Sequence, residues 1–224
     1  MTGNPLREVC PGLYVAEAKQ RFYGLEVGAR MTIIQHHGTL FVHSPIAISP
    51  ADVAHLGTPG QVLAPNLLHH LYVGPWIDAG YEGWAAPGLP EKRKDVHFHG
   101  VITPGVQPFG EDIEVLPMAC FAMTNEVVVL HKPSRTLLVT DLVFNLSPKA
   151  PWMTRTAMRC LGGYPGCNVT LLEQVGMKRD VARRELGIIA EWDFDRVIMA
   201  HGEIIETGGK ETFFQAFQWV LIGT

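Results

Sequence analysis

The alternation of apolar and polar residues predicts a β-rich opening to the chain. Strand-like segments lie at 12–18, 30–35 and 39–44, and the turn between the last two contains His36-His37-Gly38. A two-strand hairpin needs a residue with positive φ in its turn, and glycine adopts that conformation at little cost. The first 44 residues are therefore expected to form a β-meander.

The next segments predict a helix, a strand and a second helix. Residues 49–57 begin with a serine that can act as N-cap and a proline suited to the first helical position, and they end at a glycine. The apolar run 61–64 predicts a buried strand. Residues 67–79 predict a helix that would carry the tandem His69-His70 near its start.

The second half of the chain repeats this order of strands followed by helices. Residues 89–112, rich in proline, glycine and charge, are expected to form a surface loop or lid. Beyond it, strands are predicted at 113–121, 126–132, 135–144 and 195–203, and helices at 152–160, 175–192 and 208–223. Strands, helices, strands and helices in that order predict an α/β protein in which two sheets pack together with helices outside. No change in composition divides the chain, so residues 1–224 are expected to form one domain.

Composition and charge favour a small-molecule partner. Hydrophobic residues make up 47% of the 224 residues, charged residues make up 18%, and the formal net charge is −4. Acidic and basic residues are mixed along the chain, which argues against nucleic acid or an anionic membrane as partner. A small-molecule substrate is expected, and a homodimer is possible.

The cysteines and the N-terminus indicate the cytoplasm. Cys10, Cys120, Cys160 and Cys167 have no C-x-x-C spacing and are typical of free thiols in a reducing compartment. The N-terminus lacks the basic and apolar regions of a signal peptide, and no apolar segment reaches the roughly 18 residues that span a bilayer.

Polar residues follow three of the predicted buried strands. His69 and His70 come after the strand that ends at residue 64, Asp141 follows "LLVT", and His201 follows "VIMA". Side chains at strand ends can converge on one rim, and imidazole with carboxylate suits Zn²⁺ or Fe. Each residue also has an ordinary interpretation, because His69 and His70 could cap a helix while Asp141 and His201 could satisfy backbone groups.

Several motifs in order resemble the metallo-β-lactamase fold superfamily, in particular a divergent branch of uncharacterised members. These are the "GARMTII" and "GTLFVHSP" hairpin, the strand-end histidine pair, "TLLVTDLVF", and "DRVIMAHGE" before a Gly-Gly helix. The resemblance covers nearly the whole chain. It implies a four-layer αββα sandwich.

The resemblance also implies that one of the superfamily's two metal positions is largely missing. Active members carry an H-x-H-x-D-H motif, and matching its last two residues to His69-His70 puts Pro65 and Leu67 where the first two histidines belong. No histidine lies in 118–126, where another ligand is expected, and Asn125 or Glu126 is the nearest polar substitute. An alternative match of Asn66 to the first histidine leaves leucine at the adjacent ligand position.

The second metal position is better preserved. The resemblance assigns to it His69, His70, Asp141 and His201, which would hold one Zn or Fe ion per chain, with Asp141 also as the catalytic residue. The implied function is a metal-dependent hydrolase of a small ester, lactone, amide or phosphate, with a bound water of pKa near ~7 as nucleophile. Two alternatives stay open, a non-catalytic member that binds a ligand or partner and an iron-dependent oxidoreductase. A closed four-ligand site is usually structural, so metal binding alone would not establish catalysis.

Other histidines rank below this set. His36 and His37 are expected to be solvated turn residues rather than ligands, and His97 and His99 would share one face if "VHFHG" were a strand. His43 is expected to pack behind the site.

Overall fold

The first half of the chain builds a seven-stranded sheet in the structure, a computed structural model that describes residues 6–222. The first nine strands of the chain are β1 (Arg7–Cys10), β2 (Leu13–Ala18), β3 (Arg21–Phe22), β4 (Leu25–Glu26), β5 (Ala29–His36), β6 (Thr39–His43), β7 (Thr58–Ala64), β8 (Glu82–Ala85) and β9 (Gly100–Val101). The sheet order is β1-β2-β5-β6-β7-β8-β9, with the last four strands parallel, whereas β3 and β4 form a separate hairpin.

The second half contributes a four-stranded sheet. The remaining strands are β10 (Ile113–Pro117), β11 (Val127–His131), β12 (Thr136–Val139), β13 (Phe144–Asn145), β14 (Cys167–Asn168) and β15 (Arg196–Met199). The sheet order is β10-β11-β12-β15, and β13 pairs with β14. Because β12 and β15 are parallel neighbours, the residues that follow them emerge at the same edge of the sheet.

Short helices cover the outer faces of both sheets. They are α1 (Val73–Asp78), α2 (Leu89–Lys92), α3 (Trp152–Cys160), α4 (Leu171–Gly176), α5 (Arg179–Glu191), α6 (Gly209–Ala216) and α7 (Gln218–Leu221), with a 3₁₀ helix at Pro50–Val53. Within residues 6–222, none of the helices has both the length and the apolar character that a membrane crossing requires.

Three apolar layers follow from the alternation of side chains along the strands. Ile34 and Leu63 of the first sheet pack in one cluster with Leu138 and Ile198 of the second, which joins the sheets face to face. The other face of the first sheet packs against helices through residues such as Trp76. The outer face of the second sheet packs against α5, α6 and α7. The predicted αββα sandwich is confirmed.

The largest difference from the sequence prediction lies beside the histidine pair. Residues 67–79 were expected to be one helix, but 67–72 are turns and α1 begins at Val73. The side-chain oxygen of Asn66 accepts hydrogen bonds from the backbone N–H groups of Leu68 and His69, at 2.8 and 2.6 Å. Such an Asx turn competes with helix formation. His69 therefore lies in a tight turn, not on a helix.

Smaller differences have local causes. The strand predicted over 113–121 ends at Pro117, because proline has no N–H for the ladder. The loop 89–112 contains α2 and β9, and His97 and His99 lie outside the strands. The helix predicted over 49–57 is limited to the 3₁₀ turn, capped as expected by the Ser49 side chain. The helix 152–160 is confirmed at both ends.

Candidate metal centre

His69, Asp141 and His201 converge at the edge where β7, β12 and β15 end. The Nε2 atoms of His69 and His201 are 3.1 Å apart. Asp141 faces both rings, with Oδ1 3.1 Å from Nε2 of His201 and Oδ2 3.5 Å from Nε2 of His69. Asp141 and His201 are buried and His69 is half-buried. The structure thus brings together three of the residues expected at the site.

His201 is held in one tautomer by the backbone. Its Nδ1 lies 2.7 Å from the carbonyl oxygen of Gly28, which can only accept, so Nδ1 must carry a hydrogen. Phe144 stacks on the same ring, with planes 9° apart. The neutral ring therefore presents the Nε2 lone pair to Asp141 and His69.

The backbone around His201 is tied down by a buried arginine. Arg30, on β5, donates to the carbonyl oxygens of Met199 and Gly202 and pairs with Glu17 at 2.6 Å. Because Arg30 belongs to the first sheet and His201 follows the second, these bonds fix the relation between the two sheets at the site. No local pattern along the chain predicts this long-range contact.

Asn66 and Ser44 orient the other two side chains. The Nδ2 group of Asn66 donates to Oδ2 of Asp141 at 2.6 Å and lies 2.9 Å from the hydroxyl of Thr140. The hydroxyl of Ser44 lies 2.9 Å from Nδ1 of His69. Each of the three cluster residues therefore has a hydrogen-bonded partner outside the cluster, which is the usual support for metal ligands in proteins.

Glu126 supports Asp141 from behind rather than joining the cluster. Its two carboxylate oxygens accept the backbone N–H groups of Thr140 and Asp141, at 2.6 and 2.8 Å. Burial, together with the neighbouring charge of Asp141, raises the pKa of Glu126. For Asp141, burial opposes ionisation, but the His69 and His201 rings, when protonated, outweigh it and hold its pKa well below the usual range. Glu126 is a positioning group for the turn that presents Asp141.

The three donors fit a divalent metal ion. Two ligand atoms at about 2.0–2.1 Å from a tetrahedral zinc lie roughly 3.4 Å apart, and the observed spacings are 3.1, 3.1 and 3.5 Å. The Nε2 lone pair of His201 and the Asp141 carboxylate are both acceptors, so their close approach calls for a cation between them, either a metal or a second proton on His201. Two imidazoles and a carboxylate are a donor set that zinc and iron accept.

His70, the fourth residue expected at the site, is not part of this cluster. Its Nδ1 lies 3.1 Å from the guanidinium of Arg93, which can only donate, so Nδ1 accepts and the proton of the neutral ring is on Nε2. Burial and the charges of Lys92 and Arg93 lower the pKa of His70 to about 4. In this arrangement neither ring nitrogen of His70 offers a lone pair to a metal.

Asn125, a possible polar substitute at the missing first metal position, and His43, expected behind the site, also lie outside the cluster. Asn125 donates to the carbonyl oxygen of Pro87 at 3.1 Å. His43 is buried near His69, as expected, and its Nε2 has no hydrogen-bond partner among residues 6–222. Burial, with a smaller contribution from His69, lowers the pKa of His43 to about 3.

Comparison with known proteins supports the fold at low sequence identity. No protein-family model and no curated protein matches the sequence. Among solved structures, the metallo-β-lactamase FIM-1 from Pseudomonas aeruginosa, in its mono-zinc form, aligns with a TM-score of 0.69 and 8% identity, covering 99% of this chain and 96% of its own. The metallo-β-lactamase from Hirschia baltica aligns with a TM-score of 0.64 and 12% identity, covering 98% of both chains. DIM-1, a metallo-β-lactamase exposed to ceftazidime, aligns with a TM-score of 0.63 and 16% identity, covering 96% of this chain and 98% of its own.

The protein therefore has the metallo-β-lactamase fold, as the sequence resemblance implied. The alignments span almost the whole chain, so the two sheets and their flanking helices are included.

Proposed function

We propose that this protein is a metal-dependent hydrolase whose single metal ion is held by His69, Asp141 and His201. The observation that carries the proposal is the convergence of two imidazole Nε2 atoms and a carboxylate, with the His201 tautomer fixed by Gly28. Three protein ligands leave a coordination position free for substrate, which distinguishes catalytic from structural zinc sites. Zinc is the expected ion and iron the alternative.

The chain's own residues prepare the site for hydrolysis of a small ester, lactone, amide or phosphate. When bound, the ion would supply a Lewis acid that polarises the substrate oxygen and makes water a stronger nucleophile at neutral pH. Asp141 stays ionised because its pKa is held low, and Asn66 and Glu126 fix its direction. The rings of His69 and His201 are oriented by Ser44 and Gly28.

Exposed apolar residues beside His69 favour a substrate with an apolar group. Leu68, Leu71 and Tyr72 are 37%, 58% and 38% exposed. A turn with only a structural role would not need apolar side chains at these exposed positions. A cavity of about 590 Å³ borders Gly28 and Gly202 but is not lined by the cluster side chains, so it adjoins the site without containing it. Its volume lies in the range of small-molecule sites.

Metal content and turnover test the proposal together. The full chain, purified without chelator, is expected to retain metal at this cluster and to hydrolyse at least one substrate in a panel of chromogenic esters, lactones, amides and phosphate esters. Asp141→Asn and His201→Ala should lose one equivalent of metal relative to the wild type, and the activity with it. His70→Ala is the matched control, and it should retain the metal because His70 lies outside the cluster.

Other outcomes select the alternatives. Equal metal content in the wild type, Asp141→Asn and His201→Ala would reject the cluster as a metal site and favour a non-catalytic scaffold. Loss of metal in His70→Ala alone would restore His70 as a ligand. Tightly bound iron with a visible absorption band and an oxygen requirement would favour an oxidoreductase.

Substrate preference tests the role of the apolar rim formed by Leu68, Leu71 and Tyr72. Leu71→Ser is expected to raise KM for an ester with a long acyl chain while leaving KM for the acetyl ester unchanged. Leu172→Ser is the control, since Leu172 is 51% exposed on α4, outside the turn that carries His69. Equal KM values for Leu71→Ser and the wild type on both esters would reject this rim as a substrate contact.

A further inference from the structure

A second group of potential ligands lies at the opposite end of the sandwich from the site described above. His36 is the last residue of β5, His37 lies in the β5–β6 turn, and Asp112 immediately precedes β10. Strand β6 runs from that turn to His43, next to the Ser44 that contacts His69. A strand of five residues spans about 16 Å, so the two groups are separated by the length of β6.

The spacing within this group resembles that of ligands around one metal ion. Nδ1 of His36 lies 3.5 Å and Nε2 of His37 lies 3.8 Å from the same oxygen, Oδ2 of Asp112. Both distances exceed the usual length of an N–H···O hydrogen bond. They are close to the roughly 3.4 Å expected between two ligand atoms of a tetrahedral zinc, and all three ligand atoms lie within 4.8 Å of one another.

The group is partly preorganised. The His36 side chain is 17% exposed. A Cβ atom at Gly110 would lie 3.2 Å from Nε2 of His36, so the backbone there closely approaches that edge of the ring. Gly110 has φ +81, a conformation that favours glycine. A side chain at position 110 would therefore crowd Nε2 of His36, while Nδ1 of the same ring faces Asp112.

We propose that His36, His37 and Asp112 bind a divalent transition-metal ion, zinc being the one to test, at a site independent of the proposed hydrolase centre. The ion would link the β5–β6 turn of the seven-stranded sheet to the start of the four-stranded sheet. With three protein ligands on an open surface, the site would take water as its remaining ligand. Its role is to join the two sheets at the end that the first cluster does not reach.

Zinc titration of the metal-free full chain tests this proposal. The wild type is expected to bind one more equivalent of zinc than Asp112→Asn, and Asp141→Asn should keep the equivalent that Asp112→Asn loses. Adding His37→Ala to Asp141→Asn should weaken the remaining binding at least about tenfold. His55→Ala, which alters an exposed histidine outside both groups, should bind zinc as the wild type does.

Two further measurements keep the test decisive. Zinc should shift the imidazole NMR signals of His36 and His37 in the wild type, and it should raise the Tm of Asp141→Asn but not that of Asp141→Asn/Asp112→Asn. If Asp141→Asn does not fold, the wild type and the surface variant Asp112→Asn still give the comparison. Equal zinc stoichiometry in those two proteins would overturn the proposal, whereas failure of the hydrolase centre alone would leave the Asp112-dependent equivalent in place.

Discussion

Nδ1 of His201 lies 2.7 Å from the carbonyl oxygen of Gly28, which joins the candidate metal centre to the chain segment before β5. This contact fixes the protonated nitrogen of the neutral ring as Nδ1. We therefore expect the ¹⁵N NMR spectrum of the metal-free protein to show a protonated Nδ1 for His201, protected from exchange by burial. Zinc should shift the Nε2 signal while Nδ1 remains protonated. A neutral His201 protonated only at Nε2 would contradict this arrangement.

Asn66 is expected to affect metal affinity without being a ligand. Asn66→Ala removes the hydrogen bond to Asp141 and the two acceptor contacts that hold the turn of His69. Loss of such a supporting group typically costs 10- to 100-fold in metal affinity, and a decrease of about that size is expected in a zinc competition assay. Asn168→Ala, at a residue that contacts Pro165, serves as control. Wild-type zinc affinity in Asn66→Ala would show that Asp141 does not need this support.

Gly202 next to His201 is expected to tolerate no side chain. Its φ is +102, and a Cβ atom would lie 2.0 Å from the carbonyl oxygen of Asn145. The left-handed conformation alone costs an ordinary residue on the order of 1–3 kcal/mol, and the overlap with backbone adds to it. Gly202→Ala should therefore lower the free energy of unfolding by at least about 2 kcal/mol in urea denaturation. Gly74→Ala, in α1 with open space around its Cβ, should change the stability little, and equal stabilities of the two variants would be inconsistent with this packing.

The pattern of strands could be predicted because it depends on local alternation. Runs such as 30–35 and 39–44 are rich in apolar residues, which the structure buries in the first sheet, and the helix predicted at 152–160 has the observed bounds. The two-residue strands β3, β4, β9, β13 and β14 were not predicted, because so short a segment carries no measurable periodicity.

The candidate site was predicted in part, for reasons that differ between neighbouring residues. His69, Asp141 and His201 were found because each follows a buried strand, and parallel strands β12 and β15 end at one edge. His70 was assigned by its match to the last histidine of the H-x-H-x-D-H motif, but its ring contacts Arg93, 23 positions away. The supporting contacts of Gly28 and Arg30 join the two sheets, and the contact of Ser44 joins the segments that follow β6 and β7. All three cross long sequence separations, which no local pattern reveals.

The buried His131 is expected to make the protein less stable at mildly acidic pH. Burial lowers its pKa to about 4, although Asp112 acts in the opposite direction, whereas an unfolded histidine has a pKa of about 6.5. Between these values the unfolded chain binds more protons than the folded one, so the free energy of unfolding falls as the pH falls from about 6.5 towards 4. In urea denaturation of metal-free protein, His131→Gln should show a smaller fall over this range. The fall that remains comes from His43 and His70, whose pKa values are lowered in the same direction. His55→Gln, at an exposed position, should show the same pH dependence as the wild type. A wild-type pH dependence in His131→Gln would contradict the prediction, because it would mean that His131 has the same pKa in the folded and the unfolded protein.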